Sequence, residues 1–211
     1  MKRIGIFGTS GMAREAGDIA WALGLEPLHV ARNEDELRSC NLPAEVIPEQ
    51  QVTQYSDMPY VIGIGDGHTR QAIAERFGDL LEFANLIHPS ATFGMGQREV
   101  VDGCKGVIVA AGVRFTSGIA VGDFCIFNQN ATIAHDCVIG NYVHVGPGAN
   151  VSGHVHLQDG CWVGAGAVIN QGGPEQKLRI GTGTVIGSGA VVIENCEAAA
   201  VYAGVPAKRI K

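Results

Sequence analysis

The stretch from Val109 to Ile169, VAAGVRFTSGIAVGDFCIFNQNATIAHDCVIGNYVHVGPGANVSGHVHLQDGCWVGAGAVI, decides the fold. Every sixth residue in it is apolar, and four residues after each of these comes a second series in which small residues dominate. A period of six with one branched and one small inward residue indicates a hexapeptide β-helix, in which three hexads form one triangular coil of about 18 residues. The first series is Val109, Phe115, Val121, Phe127, Ile133, Ile139, Val145, Val151, Leu157, Val163 and Ile169; the second runs from Val113 through Cys125, Ala131, Cys137 and Cys161 to Gly173.

The repeat is interrupted once, at Asn170–Arg179 (NQGGPEQKLR), and resumes with Ile180, Ile186 and Val192. The interruption inserts five residues between hexads. Its glycines, proline and charges predict an exposed loop. This loop is either a flap over a ligand or simply a solvated connection.

Before the repeat, residues 1–86 alternate strand-like and helix-like segments, which predicts a small parallel sheet with helices on its faces. The chain therefore reads as an α/β Rossmann-like domain over 1–86, followed by a parallel β-helix domain with a C-terminal tail over 87–211. We expect strands at Arg3–Phe7, Leu28–Ala31, Tyr60–Ile64 and Phe83–Ile87, and helices at Met12–Leu23, Asn33–Arg38 and His68–Phe77.

Two glycine turns follow strands of the first domain, Gly8-Thr9-Ser10-Gly11 and Gly63-x-Gly65-Asp66. A helix N-terminus presents backbone N–H groups to a phosphate, and open parallel sheets bind ligands at the carboxyl ends of their strands. We therefore predict nucleotide binding here, the alternative being turns that only close strand–helix corners. His68 and Arg70, just beyond, are either phosphate partners or helix-surface residues. The predicted contacts are Gly8, Ser10, Gly11, Gly65, Asp66 and His68.

Composition excludes several classes of protein. Apolar residues make up 46% and charged residues 17% of the 211, which is typical of a folded globular chain. No apolar run approaches the roughly 20 residues that span a bilayer, and no basic stripe favours nucleic acid. The six cysteines form no C-x-x-C pair, and the start Met1-Lys2-Arg3 leads straight into a strand, so we expect reduced thiols and a cytoplasmic location.

Charge is distributed unevenly along the chain. Residues 1–86 carry 7 basic and 13 acidic side chains, whereas 87–211 carry 8 of each. Between Phe115 and Pro174 the only charged residues are Asp123, Asp136 and Asp159. Coil faces packed against neighbouring subunits would explain this, and a threefold arrangement is the simplest closed one. We therefore expect a homotrimer.

Four of the seven histidines lie in that uncharged stretch: His135, His144, His154 and His156. His135 takes an outward hexad position and is followed by Asp136, a carboxylate able to orient the imidazole for proton abstraction. Gly153 lies 18 residues on, in the next coil about 4.8 Å away, where it leaves room for a thioester and offers an N–H to an oxyanion. This arrangement predicts general-base catalysis by His135, and a ligand contact by His144, which lies one coil from Trp162.

The chain resembles bacterial nucleotide-sugar acetyltransferases of the hexapeptide-repeat type, such as sialic acid O-acetyltransferases and bacillosamine N-acetyltransferases. The matching motifs are IFGTSG, VIGIGDGHTR, NLIHPSA, FNQNATIAHDCVIGNYVHVGPGANVSG and YAGVPAKRI, which together cover nearly the whole chain. The resemblance implies a nucleotide-binding N-terminal domain and a left-handed β-helix that trimerises and binds acetyl-CoA between subunits. It also implies N-acetylation of a nucleotide-linked amino sugar, such as a UDP-4-amino-4,6-dideoxy sugar, in surface glycan biosynthesis, without a metal.

Residue by residue, the resemblance implies His135 as general base and Asp136 as its acidic partner. Asn128 corresponds to a polar residue at the amino-sugar end, and His144 to the histidine near the acetyl group. Gly153 and Ala165 correspond to backbone contacts with the cofactor, and Lys208 lies in a tail (Gly204–Lys208) near coenzyme A.

Three alternatives remain at this stage. The nearest is an O-acetyltransferase acting on a sugar hydroxyl. A metalloenzyme of the γ-carbonic-anhydrase kind would need three histidines converging on zinc, but the chain lacks a close H-x-x-x-x-H pair. A noncatalytic scaffold would have no use for a His-Asp pair beside a glycine.

Overall fold

The computed structural model describes residues 2–211, and its N-terminal part is a four-stranded parallel sheet flanked by helices. The strands are β1 (Arg3–Phe7), β2 (Glu26–Ala31), β3 (Glu45–Pro48) and β4 (Tyr60–Ile62), and the helices are α1 (Gly11–Ala22), α2 (Glu34–Ser39) and α3 (Gly67–Phe77), with a 3₁₀ helix at Glu49–Tyr55. The strand order is β3-β2-β1-β4, that of the first strands of many doubly wound sheets. The predicted small parallel sheet is thus present.

Strand β3 and the 3₁₀ helix were not predicted from the sequence. β3 is an edge strand, and it buries a single side chain, that of Ile47. Pro48 closes it, as is common for edge strands. The apolar run is too short to show a strand periodicity.

The rest of the chain is a parallel β-helix with three faces, which confirms the repeat; the left hand implied by the resemblance stays a prediction. Strands pair in parallel with strands 18 residues away, for example Ile126 with His144 and Thr132 with Asn150. Face one comprises β5 (Leu86–Ile87), β7 (Ile108–Val109), β10 (Ile126–Phe127), β13 (His144–Val145), β16 (Trp162–Val163), β19 (Val185–Ile186), β21 (Val201–Ala203) and the antiparallel β22 (Lys208–Arg209). Face two comprises β6 (Thr92–Phe93), β8 (Arg114–Phe115), β11 (Thr132–Ile133), β14 (Asn150–Val151), β17 (Val168–Ile169) and β20 (Val191–Val192); face three comprises β9 (Ala120–Val121), β12 (Val138–Ile139), β15 (Val155–Leu157) and β18 (Leu178–Ile180).

A left-handed backbone residue recurs every six positions at the edges of the prism. Glycine takes most of these positions, which accounts for part of the 30 glycines in the chain. Two exceptions lie on one edge, Asp136 (φ 59°) and His154 (φ 56°). Aspartate and histidine are both among the residue types that adopt this conformation more readily than most non-glycine residues.

The prism begins earlier than the repeat in the sequence. The expected last strand of the sheet, Phe83–Ile87, divides between the two domains: Phe83 forms a parallel bridge with Tyr60 of β4, whereas Leu86 and Ile87 pair with β7 and begin face one. Helix α4 (Gln97–Asp102) then covers the open end of face three. The Gln97 side chain accepts from the Ile119 N–H (3.0 Å) and donates to the Ile119 carbonyl (2.8 Å), so it satisfies an exposed strand edge.

The insertion leaves the core in register. Leu178 pairs with Val155 and is buried, whereas Gly173, expected in the inward series, lies in the loop and is only half-buried. The five extra residues displace the inward position from Gly173 to Leu178.

The two domains share a packed seam, on which outward residues of face one, Leu86, Ile108 and Ile126, lie with Ile4 and Ile6 of the sheet in one hydrophobic cluster. Sequence analysis missed this seam, although isoleucines 18 residues apart on an outward position were a signal for it. No helix within residues 2–211 has the length and hydropathy of a membrane span.

Candidate active site

The His135 edge, where faces two and three meet, carries the predicted general base. The His135 Nδ1 lies 2.8 Å from Asp136 Oδ2. Because a carboxylate can only accept, Nδ1 carries the proton and Nε2 keeps a free lone pair. The hydrogen bond from His135 is the main cause that lowers the pKa of the Asp136 carboxyl below its ordinary value. The side chain of His135 is 47% exposed, and within residues 2–211 its Nε2 forms no hydrogen bond.

Gly153 lies directly against this imidazole, as the coil arithmetic predicted. A Cβ atom placed on Gly153 would fall 2.6 Å from His135 Nε2 and Cε1. Only glycine therefore leaves the ring in place. The Gly153 carbonyl accepts from the Gly172 N–H (3.0 Å), while the Gly153 N–H has no acceptor within residues 2–211. An imidazole nitrogen without a hydrogen-bond partner and an unpaired backbone N–H thus lie on the same edge, and acyl transfer needs both a base and such a donor.

His154 completes a cluster on the same edge. Its ring meets that of His135 edge-on with centroids 5.1 Å apart, and its Nε2 lies 3.6 Å from Asp136 Oδ2. His135, Asp136 and His154 each offer one ligand atom within 4.8 Å of the others, so they could also hold a divalent metal ion. His156, the remaining histidine of the uncharged stretch, is on β15, where burial lowers its pKa.

The insertion folds back onto this edge rather than away from it. The Leu178 N–H donates to the His154 carbonyl (3.0 Å), and the Lys177 ammonium donates to the Asp136 carbonyl (2.5 Å). Lys177 is the first cation after the uncharged stretch. The loop thus brings a positive charge to the neighbourhood of the His-Asp pair, a contact that sequence analysis did not anticipate.

His144 lies elsewhere, on face one beneath the N-terminal domain. It is 5% exposed, and its ring stacks on Trp162 at 4.1 Å. Its Nδ1 donates to the Gly65 carbonyl at 3.0 Å, and its Nε2 lies 2.9 Å from Asn128 Nδ2. Burial lowers the pKa of His144 to about 4, so the ring is neutral near pH 7.

Arg70 is neither the phosphate partner nor the surface residue expected from the sequence. It is fully buried in the seam and donates to main-chain carbonyls of both domains. The acceptors are Ile64, Gly65, Phe124, Tyr142 and Val143, at 2.6–3.3 Å. Burial lowers the pKa of its guanidinium to about 10.

A cavity of about 560 Å³ opens at the carboxyl ends of β1, β2 and β4, where the glycine turns were predicted to hold a nucleotide. Gly8 and Ser10 line one side and Thr69 another. Two arginines and two glutamates complete the polar wall, namely Arg32, Arg76, Glu36 and Glu49, of which Arg76 and Glu49 form an ion pair.

Sequence analysis missed Glu36. Its carboxylate accepts from the Thr9 hydroxyl and from the Arg32 N–H (3.0 Å), so it ties α2 to the first glycine turn. The run Glu34-Asp35-Glu36 directly after the second strand was a usable signal for an acidic group at this point.

The other predicted nucleotide contacts, Gly11, Gly65, Asp66 and His68, are not among the residues that line the cavity. Gly11 begins α1, and a Cβ there would meet open space. Asp66 caps α3 by accepting from the Thr69 N–H (2.8 Å), and His68 is exposed on that helix. Gly65 faces the prism. A Cβ atom placed on it would lie 3.3 Å from the His144 ring and 3.2 Å from the Trp162 ring.

The residues predicted to contact the cofactor and the amino sugar lie on different edges of the prism. Gly153, a predicted cofactor contact, lies on the His135 edge. Ala165, also a predicted cofactor contact, and Asn128, predicted at the amino-sugar end, lie on the edge between faces one and two. Lys208 is on β22 and pairs with Glu194 at 3.1 Å. Within one chain, the predicted acetyl-transfer residues thus do not form a single cluster.

No family model matches the chain. Over 107 residues, 51% of this chain and 48% of the relative, it is 41% identical to GDP-perosamine N-acetyltransferase of Escherichia coli O157:H7. The aligned region therefore spans about half the length of this curated relative.

Solved structures match over the whole chain. The acetyltransferase domain of PglB from Neisseria gonorrhoeae FA1090, in complex with acetyl coenzyme A, has a TM-score of 0.85 and 25% identity, with 99% of both chains covered. A histidine-to-asparagine variant of perosamine N-acetyltransferase from Caulobacter crescentus, in complex with CoA and GDP-perosamine, has a TM-score of 0.85 and 25% identity, with 100% of this chain and 98% of that chain covered. These findings confirm the resemblance to hexapeptide-repeat N-acetyltransferases of nucleotide-linked sugars.

Proposed function

We propose that the chain is an acetyl-CoA-dependent N-acetyltransferase that acts on the amino group of a nucleotide-linked sugar, with His135 as general base. The observation that carries this proposal is the His135 edge, where a free imidazole nitrogen lies against Gly153 and its unpaired N–H. The relatives that match the chain are named acetyltransferases, and two of the structures contain acetyl coenzyme A or CoA.

The chemistry is a direct transfer. The sugar amine attacks the thioester carbonyl, a C–N bond forms, and His135 Nε2 accepts the proton that the nitrogen loses. Asp136 stabilises the imidazolium that results. The carbonyl oxygen becomes an oxyanion that the Gly153 N–H can meet. When the C–S bond breaks, the coenzyme A thiolate leaves and takes the proton back from His135.

The cavity at the ends of β1, β2 and β4 is proposed to hold the nucleoside diphosphate. Gly8 and Ser10 lie where backbone N–H groups meet a phosphate at the start of α1. The resemblance in the sequence implied a UDP-4-amino-4,6-dideoxy sugar, whereas the named relatives act on or bind GDP-perosamine. Both nucleotides belong in the substrate panel.

A homotrimer is part of the proposal, since Gly153 and Asn128 lie on different edges of one prism and a neighbouring chain would bring such edges together. The uncharged stretch from Phe115 to Pro174 supports the same arrangement. Light scattering at micromolar concentration should give three times the monomer mass of 22.1 kDa. A stable monomer would exclude the shared site.

The function is tested by thiol release from acetyl-CoA across UDP-, GDP- and dTDP-linked amino sugars. Each amino sugar is paired with the sugar that carries a hydroxyl at the same carbon. We expect release with at least one amino sugar and little with its hydroxyl partner. Release with hydroxyl sugars alone would indicate an O-acetyltransferase, and no release with any acceptor would contradict the proposal.

A further inference from the structure

The buried Arg70 lies at one end of a hydrogen-bonded chain that ends at Asn128, here named the Arg70–Asn128 chain. All the groups that its guanidinium contacts are carbonyl oxygens, and no carboxylate within residues 2–211 forms an ion pair with it. Burying a cation without a paired anion costs free energy. We therefore expect the planar set of N–H donors of the Arg70 guanidinium to hold the surrounding carbonyl groups in fixed positions. One of the shortest of these contacts joins an Arg70 Nη1 donor to the Gly65 carbonyl oxygen at 2.6 Å.

The Gly65 carbonyl is shared with His144. It accepts from Arg70 and also lies 3.0 Å from His144 Nδ1. A carbonyl cannot donate, so Nδ1 of His144 must carry the proton. In the neutral ring, Nε2 is then an acceptor. Arg70 holds this carbonyl in place, and the Trp162 stack fixes the plane of the imidazole.

The tautomer of His144 sets the direction of the Asn128 amide. Because Nε2 accepts, the group 2.9 Å away must be the Asn128 NH₂ and not its oxygen. The Asn128 oxygen then points the other way, and it is buried without a partner within residues 2–211. The whole residue is only 5% exposed. Buried polar atoms are normally paired, so an acceptor of this kind indicates a ligand that donates.

We propose that Arg70 is a positioning residue that, through Gly65 and His144, fixes the Asn128 oxygen as the acceptor for an N–H donor of the bound ligands. The donor is either the sugar amine or an amide N–H of the pantetheine arm of acetyl-CoA. Naming these two ligands rests on the proposed function, whereas the tautomer of His144 and the direction of the amide do not. His144 is neutral because burial and the Arg70 charge both disfavour a second proton.

The first test reads the wild-type protein directly and requires no enzymatic activity. With ring-¹⁵N-labelled histidine, the nitrogen chemical shifts distinguish the two neutral tautomers and the imidazolium. His144 is assigned as the signal lost in His144→Gln. We expect the Nδ1–H tautomer at pH 7. An Nε2–H tautomer or an imidazolium would reverse the Asn128 amide and overturn the proposal, even if the chain proved to be an active acetyltransferase.

The second test compares Arg70→Lys with Arg98→Lys. Lysine keeps the charge but cannot satisfy five carbonyls, whereas Arg98 forms an exposed ion pair with Asp102 on α4, away from the seam. We expect Arg98→Lys to behave as wild type. Arg70→Lys should mix the His144 tautomers and lower kcat/KM for the sugar about tenfold. An unchanged His144 signal in a folded Arg70→Lys would overturn the role of Arg70.

The third test identifies the donor through binding measured by calorimetry, and it stands even if Arg70→Lys fails to fold. Asn128→Leu removes the acceptor oxygen. About tenfold weaker binding of the sugar nucleotide, with acetyl-CoA unaffected, would support the proposal with the sugar amine as donor. The opposite pattern would support it with the pantetheine amide as donor. Unchanged binding of both ligands would overturn it.

Discussion

His135 and His144 lie nine residues apart on the same prism, yet their surroundings differ in every respect that governs a proton. His135 is half exposed on an edge, bonded to a carboxylate at one nitrogen and open at the other. His144 is buried under the N-terminal domain, with both nitrogens engaged by neutral groups. The first environment leaves one ring nitrogen without a partner, and the second keeps the ring neutral near pH 7.

The difference arises from the coil geometry rather than from the histidines themselves. An outward residue of a parallel β-helix is exposed unless something covers its face. The N-terminal domain covers face one as far as His144 and leaves the His135 edge uncovered. One repeating scaffold thus presents an exposed histidine and a buried one, and from this division we propose a reactive role for His135 and a positioning role for His144.

Removing the two rings in turn should produce the largest effect. His135→Ala should lower turnover by roughly 10² to 10⁴, the usual contribution of a positioned base. The fold and the affinity for acetyl-CoA should persist, because the side chain is outside the core. Asp136→Asn should cost less, since it removes orientation but not the proton acceptor. Steady-state kinetics and calorimetry measure both.

The division would break if His135→Ala kept near wild-type turnover while His144→Gln was inactive. In that case the base would be His144, and the contact between Gly153 and His135 would not mark the thioester. His144→Gln is the matched variant, because glutamine can still donate to the Gly65 carbonyl and accept from Asn128.

The second-largest effect should appear in the free energy of unfolding measured as a function of pH. Its sign follows from the lowered pKa of His144. In the unfolded chain the ring titrates near its ordinary 6.5, whereas in the folded chain its pKa is about 4. Below about pH 7.5 the unfolded state binds more protons, so stability falls as pH drops from about 7.5 toward 4 and is flat above about 7.5. Urea unfolding at fixed protein concentration should show a loss of about 1.6 kcal/mol between pH 6.5 and pH 5.

His144→Gln is the control for this titration as well. Its stability should lack that component of the pH dependence, because glutamine does not titrate. His29, whose pKa burial also lowers, remains in both proteins and cancels in the difference. Equal pH slopes in the two proteins would show that His144 is not held neutral by burial.

A single methyl group on the His135 edge should have a smaller but local effect. The Cβ of Gly153→Ala would lie 2.6 Å from His135 Nε2 and push the exposed ring out of line. We expect kcat to fall about tenfold, because a displacement of the imidazole by less than about 1 Å moves the base out of line with the reacting nitrogen. Gly173→Ala is the control, since a Cβ there meets nothing closer than the Gln176 carbonyl at 3.7 Å. Equal kcat values for the two variants would remove Gly153 from the site.

The repeat, the His-Asp pair and the contact of Gly153 with His135 were predicted from the sequence. In a hexapeptide repeat, residues 18 positions apart lie next to each other in adjacent coils, so sequence spacing gives spatial neighbours directly. It did not predict the seam, the burial of Arg70 or the role of Glu36. Those depend on how a second domain docks on face one, and local periodicity carries no information on docking. The insertion is an intermediate case: its exposure was predicted, whereas the reach of Lys177 back to Asp136 depends on the path of the loop.

Removal of metal ions by chelation should have no effect on turnover. This result distinguishes a His135 general base from a metal centre on the same edge. His135, Asp136 and His154 are close enough to hold a divalent ion. Direct acyl transfer instead uses His135 Nε2 as a proton acceptor, and a metal on that nitrogen would remove the base. The Lys177 ammonium, bonded to the Asp136 carbonyl, adds a positive charge that disfavours a second cation there. We therefore expect turnover to be unchanged after extended EDTA treatment and desalting, and added Zn²⁺ to inhibit wild type more strongly than His154→Gln. Loss of turnover on chelation, restored by zinc, would show that the three side chains form a metal centre and that His135 is a ligand and not a base.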